Sequence, residues 1–252
     1  HRHGIAVDLY FSHIDWFDMD FRCDRWNPHL DRAYTPASDP DGYRRMLARH
    51  REQIRELSAN YGPIDILSLD MNLPDGEFGF TKDIVETVKL ARRLQPGMMI
   101  RNRGIGAYGD HHTPERSIPS EDQAKQELYD QLNLRKMGRP WKAIYPGSLN
   151  FSYMKEDDYK PGEWIIDNLI DVTAKGGIFQ VGYGPSPTGE FHPDVKDRLA
   201  YTGAWLSAYG EAIFGTRPFD VYHEGKNVRY TRSKDGKTVY AIFREWPSGH
   251  FA

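Results

Sequence analysis

Five short apolar runs, each edged by Gly or Pro, recur along the 252-residue chain with helix-patterned stretches between them, and this alternation constrains the fold more than any other feature. The runs are GIAVDLYF (residues 4–11), PIDILSLD (63–70), GMMIRNR (97–103), WKAIYPG (141–147) and GGIFQVGYG (176–184). They have strand length and read as buried parallel strands, since continuous apolar runs suit strands covered on both faces. Helices are predicted over Asp41 to Asn60, Lys82 to Leu94, Ser120 to Met137, Glu163 to Lys175 and Pro193 to Tyr209. In the first, Met46, Leu47, Ile54 and Leu57 form one broad apolar face, and Gly62-Pro63 stops it. Strict β-then-α order predicts an α/β fold with a parallel sheet, and at this length a TIM-like (β/α) barrel. Only five units are visible, whereas a complete barrel has eight strands over ~250 residues, so an incomplete barrel is expected. After Arg217-Pro218 the pattern becomes VRYTRSKDGKTVYAIF, two alternating runs around Asp235-Gly236, which is a hairpin signal. The expected organisation is therefore a partial barrel over residues 1–217 and the truncated start of a C-terminal β domain, of β-sandwich type, over 218–252.

Charge and composition exclude several partners. With 33 basic against 36 acidic residues, a net charge of -3 and no long run of one sign, the chain has no footprint for a phosphate backbone, so no nucleic-acid partner is expected. No apolar run approaches the ~20 residues that span a bilayer, so no membrane partner is expected either. Cys23 is the single cysteine, which rules out an internal disulfide and leaves the compartment open. Aromatic residues make up 13%, and such rings either fill cores or form the floors on which sugars stack.

Candidate chemistry gathers at the ends of the predicted strands. Asp70 closes an apolar strand and is followed by loop residues, which is where sites are built in parallel α/β folds; an Asp there is either catalytic or a cap on neighbouring amides. Glu115, after Thr113-Pro114, lies beyond the next strand, so it is either the second carboxylate of a pair or the first turn of a helix. Retaining glycosidases need two such carboxyl groups ~5–5.5 Å apart, one to attack and one to protonate the leaving oxygen. Arg101 and Arg103 alternate with Asn102 and share a face, suited to sugar hydroxyls or to carboxylates. GIGAYG (104–109) matches the dinucleotide fingerprint in form only, because DHHTPE follows where a helix should begin. His111-His112 lack a second ligand cluster, so no metal is expected. Asn150-Phe151-Ser152 is a formal glycosylation sequon that carries no weight alone. Phe17 to Pro36 has no period and reads as a long, functional loop.

Several segments together resemble glycoside hydrolase family 29, the α-L-fucosidases. DLYFSHIDWF (8–17) resembles the family's GLYYS…EW strand and loop, NYGPIDILSLD (60–70) its NYGPDLLWFDG, and RNRGIGAYGDHHTPE (101–115) the strand and loop that end in YxTPE. GGIFQVGYGPSPTGEFHP (176–193) and GAWLSAYGEAIFGTRPF (203–219) resemble the family's GGN…GPxPDG and GxWLxxNGEAIYxTRP segments. The resemblance implies a TIM-like catalytic barrel followed by a β domain, with Asp70 as nucleophile, Glu115 or alternatively Glu121 or an acidic residue from elsewhere as acid/base, and Tyr10, Trp16 and Arg103 as substrate contacts. It implies release of terminal α-L-fucose from glycoconjugates or oligosaccharides with retention, without metal or organic cofactor. A fucosylated glycan would be the partner, and the setting secreted, periplasmic or lysosomal. A catalytically inactive sugar-binding homologue, or a retaining glycosidase for another 6-deoxy or galacto-configured sugar, stays open. Ser68, Met71, Ile178 and Gly182 depart from the family's Trp, Gly and two Asn. The family's early His-Trp and His-His pairs have no equivalent before His1, so the chain is expected to be a fragment lacking the first strands.

Overall fold

The computed structural model describes residues 2–13, 15–22, 26–71, 80–119 and 140–246. Two compact units emerge, His1–His112 and Thr113–Ala252.

In the first unit, β1 (Asp8–Ser12), β2 (Ile66–Asp70) and β3 (Met99–Ile100) form a parallel sheet in that order, connected by α1 (Pro40–Asn60) and α2 (Phe80–Leu94). Parallel neighbours require a crossover, and each helix supplies one. Asp39 starts α1 as its cap, its Oδ1 accepting the Gly42 amide at 2.9 Å ahead of Pro40 in the first turn. The buried stripe of α1 runs through Tyr43, Met46, His50, Ile54 and Ser58, at three- and four-residue spacing. It is rotated from the expected face, because Leu47 and Leu57 are only half-buried while His50 is inside. Met46 and Ile54 join Leu67 and Leu69 of β2, Ile100 of β3, and Ile84, Val85, Val88 and Ala91 of α2 in one core.

Two strand expectations need correction. Among the described residues β1 pairs only with β2, at an edge of this sheet, so its residues are exposed or half-buried instead of buried throughout. The run at 97–103 yields a strand of only two residues. Beyond it the chain coils back, with the Asp110 amide on the Ile100 carbonyl at 2.7 Å and the Asn102 amide on the His111 carbonyl at 3.2 Å. The GIGAYG segment forms this reversal, including a 3-10 turn at Gly106–Tyr108. A Cβ on Gly109 would lie 2.3 Å from the Asn102 Cα, so only glycine permits the close return.

In the second unit, β4 (Lys142–Pro146) and β5 (Ile178–Gly182) are parallel and joined through α3 (Gly162–Ala174). Trp141, Ala143 and Val172 pack with Phe179 and Ile118. After β5 come α4 (Pro193–Tyr209) and an antiparallel sheet, β6 (Thr216–Glu224), β7 (Val228–Ser233) and β8 (Val239–Phe243). Its β7–β8 connection is the hairpin expected at Asp235-Gly236, closed by the Ser233 amide on the Thr238 carbonyl at 2.9 Å. Ile242 of β8 packs with Ile166 and Ile170 of α3 and with Ile213. The helix predicted over Ser120 to Met137 lies outside the described residues. Among the described residues, no helix is long and apolar enough to cross a membrane.

Candidate active site

The parallel register of β1 with β2 sets Ser12 beside Asp70 at the carboxyl ends of both strands. Residues two apart share a strand face, so Tyr10 points the same way as Ser12. The Tyr10 hydroxyl donates to Asp70 Oδ2 at 2.5 Å. From the segment after β3, Arg103 Nη1 donates to Asp70 Oδ1 at 2.5 Å, and Arg101 Nη2 stands 3.7 Å from the same oxygen. The alternation of Arg101 and Arg103 therefore resolves toward a carboxylate. Arg101 is almost wholly enclosed and Asp70 nearly so, at 4% and 14% side-chain exposure, so these charges act in a poorly screened environment.

Burial by itself pushes the Asp70 carboxyl up. The Tyr10 hydroxyl, the Met71 amide, Arg103 and Arg101 outweigh it and hold the group below the ordinary carboxylate range. Tyr10 is pushed up to about 12, first by burial and then by its bond to Asp70. At neutral pH the site thus presents an ionised carboxylate that accepts from a protonated phenol and is flanked by two fixed cations. Such a group can attack an electrophilic carbon or stabilise developing positive charge.

The backbone turns sharply beside it. Met71 takes φ +68° directly after Asp70, a conformation that is uncommon outside glycine and clusters at functional sites. The resemblance placed a glycine here, which would adopt the same turn without steric cost.

Trp16, four residues past β1, sets its ring 6.1 Å from that of Trp26, and both rings are largely exposed. Glu115 belongs to the second unit and is exposed. It lies on an extended segment bridged in parallel to Ile144 of β4, with the Arg116 amide on the Ile144 carbonyl at 2.9 Å, so it does not open a helix. Glu121 lies outside the described residues. His112 engages Asn102, Nδ1 to Nδ2 at 2.7 Å, while His111 bridges Arg101 along the backbone. Among the described residues, no group of three or more His, Cys, Asp or Glu side chains could hold a metal ion.

Two buried residues escaped the sequence reading: His13, whose amide bonds the Asp70 carbonyl, and His50, whose ring meets that of His13. The only signal for the second was a histidine within the apolar stripe of α1, and a lone histidine there reads as core.

Residues 1–211 match the family described as Alpha-L-fucosidase. Plasma alpha-L-fucosidase of Pongo abelii is 24% identical over 263 residues, covering 98% of this chain and 50% of its own. Alpha-L-fucosidase isoenzyme 1 from Paenibacillus thiaminolyticus superposes with a TM-score of 0.73 at 28% identity, over 92% of this chain and 55% of its own. A family 29 alpha-L-fucosidase of Bacteroides thetaiotaomicron, trapped as a covalent intermediate with 2-fluoro-fucosyl fluoride, superposes with a TM-score of 0.74 at 22% identity, over 93% and 54%. At that identity the last likeness shows the fold alone. The chain spans about half the length of the relatives it matches end to end.

Proposed function

Because this chain belongs to the α-L-fucosidase family, a family of retaining glycosidases, we propose that the protein removes terminal α-L-fucose from glycoconjugates or oligosaccharides through a covalent fucosyl-enzyme on Asp70. The observation that carries the reading is the ionised Asp70 carboxylate at the end of β2, held on both oxygens by Tyr10 and Arg103. In the proposed reaction an Asp70 oxygen attacks the anomeric carbon, and the C–O bond to the aglycone breaks as Glu115 donates a proton to the departing oxygen. Glu115 then takes a proton from water, which attacks the same carbon and releases Asp70, giving net retention. Arg103 and Tyr10 keep the carboxylate charged and aimed, and both remain proposed contacts to the sugar; Trp16 is a proposed contact beyond it. No metal or organic cofactor enters this scheme. The proposed architecture is part of a TIM-like barrel over residues 1–217 with the start of a β-sandwich domain over 218–252, in a protein working outside the cytoplasm. The plasma relative supports that location.

The test is trapping. The full-length protein, treated with 2-deoxy-2-fluoro-fucosyl fluoride and digested, should carry the fluorofucosyl group on the peptide containing Asp70. Label on another carboxylate, or a folded protein that neither labels nor hydrolyses aryl α-L-fucosides, sinks the proposal.

A smaller effect is expected from Tyr10→Phe. A hydrogen bond to a charged group is worth about 1.5–3 kcal/mol, so kcat/KM should fall by roughly 10- to 100-fold. The sign in pH follows from the depressed Asp70 pKa: removing the donor raises it, so the acid limb of the kcat/KM profile should move to higher pH. An unmoved acid limb would show that the hydroxyl does not support the charged form.

A further inference from the structure

His13 stands one residue past β1, buried between Asp70 and Arg103. Its backbone amide donates to the Asp70 carbonyl at 3.1 Å. Its ring Nε2 lies 3.0 Å from the Arg103 carbonyl oxygen, and its Nδ1 lies 3.0 Å from Nε2 of His50 on α1.

These contacts determine the tautomers. A carbonyl oxygen only accepts, so His13 Nε2 carries a proton. In a neutral imidazole that is the sole ring proton, so Nδ1 accepts and His50 donates from its own Nε2. His50 Nδ1 is then a bare acceptor, and it is indeed buried with no hydrogen-bond partner among the described residues. Burial pushes both rings down, His50 to about 3, which keeps the pair uncharged.

The peptides that His13 holds each border a reversal of the chain. β3 ends at Ile100, so the Arg103 carbonyl lies beyond the sheet ladder, and Gly104 after it has φ +73°. A Cβ on Gly104 would lie 2.8 Å from the His13 ring, so the seat of the ring requires this glycine. Asp70 likewise precedes a reversal, at Met71 with φ +68°.

We propose that His13 is a positioning residue for the Asp70–Arg103 pair. Its amide anchors the peptide of the carboxylate and its ring anchors the peptide of the arginine, while His50 fixes the tautomer that makes the second anchor possible. One residue thereby sets the distance between two groups whose side chains meet at 2.5 Å. The inference rests on the reading of Asp70 as nucleophile for its kinetic consequence only.

The experiment uses full-length protein labelled with 15N-histidine and the variants His13→Gln and His13→Leu. Long-range 1H–15N spectra at pH 7 should show both His13 and His50 protonated at Nε2 alone; a proton on His13 Nδ1 overturns the proposal. Misplacement of a reacting group by about 1 Å costs up to about 100-fold. His13→Leu should therefore lower kcat on an aryl α-L-fucoside by roughly 10- to 100-fold, with KM changed far less. His13→Gln can donate to the Arg103 carbonyl and accept from His50, and should restore most of kcat. Equal kcat in both variants overturns the proposal. A wild type inert on fucosides instead overturns the fucosidase reading. The Asp70 carboxyl titration then decides, being shifted upward in His13→Leu and not in His13→Gln if the anchor exists, and alike in both if it does not.

Discussion

Asp70→Gly is expected to lower hydrolysis of an aryl α-L-fucoside on the order of 1,000-fold or more, and added azide is expected to restore turnover with β-fucosyl azide as product. The size of the loss follows from what the carboxylate does in the proposed reaction. It supplies the electron pair for the first bond, and among the described residues its side-chain partners, Tyr10, Arg101 and Arg103, include no acid that could take its place. Glycine rather than asparagine is chosen because it leaves room for a small anion between the two arginines, which should attract azide. Azide would enter from the face the carboxylate occupied, so the product of an α-fucoside must have inverted configuration. Removing Asp70 also takes a carboxylate from beside the enclosed Arg101, so folding of the variant is checked by circular dichroism before kinetics. A folded variant with near wild-type turnover would remove Asp70 from the nucleophile's role. A folded, inactive variant giving α-fucosyl azide would point to a different face of attack.

Some of this site was legible in the sequence for physical reasons. The apolar run ending at Asp70 needed only period and length to be read as a strand, and the ends of such strands are where parallel folds place their chemistry. The i, i+2 spacing of Arg101 and Arg103 was enough to put both on one face. The site as an assembly was not legible, because it depends on register. Tyr10 reaches Asp70 only because β1 pairs with β2 so that Ser12 falls beside Asp70, and no local pattern encodes that pairing. His13 and His50 are 37 residues apart and meet through the packing of α1 on the sheet. The shortened β3 came from the turn chemistry of Gly104, Gly106 and Gly109, which the apolar pattern of GMMIRNR masks. Glu115 was ambiguous between the second carboxylate of a pair and the first turn of a helix; its bridge to Ile144, a pairing no local pattern encodes, excludes the helix start.

Asp171→Asn is expected to cost about 3–5 kcal/mol of stability at neutral pH, as when one partner of a buried ion pair is removed. Asp171 lies on α3 with Oδ1 accepting from Arg229 Nε and Oδ2 from Lys175 Nζ, each at 2.6 Å, and all three side chains are at most 12% exposed. Lys175 also donates to the Pro119 carbonyl at 3.0 Å and Arg229 to the Val228 carbonyl at 3.0 Å, so both cations are fixed in place. Burial pushes the Asp171 carboxyl up, but Lys175 and Arg229 outweigh it and hold the group below the ordinary range. The folded pKa is therefore depressed. Its stabilisation is fully present above the unfolded value of about 3.9, and is lost as pH falls through the folded value. Urea unfolding of wild type and variant should differ most at neutral pH and converge in acid. A difference that persists unchanged to low pH would assign the loss to packing instead of charge. Arg229→Met should cost less than Asp171→Asn, because Asp171 keeps Lys175, whereas losing Asp171 leaves two enclosed cations together. Pairing Arg229→Met with Asp171→Leu should cost less than the sum of the two single changes, since the pair is removed with its desolvation penalty. Full additivity would mean that α3 and β7 are joined by their apolar contacts and not by this ion pair.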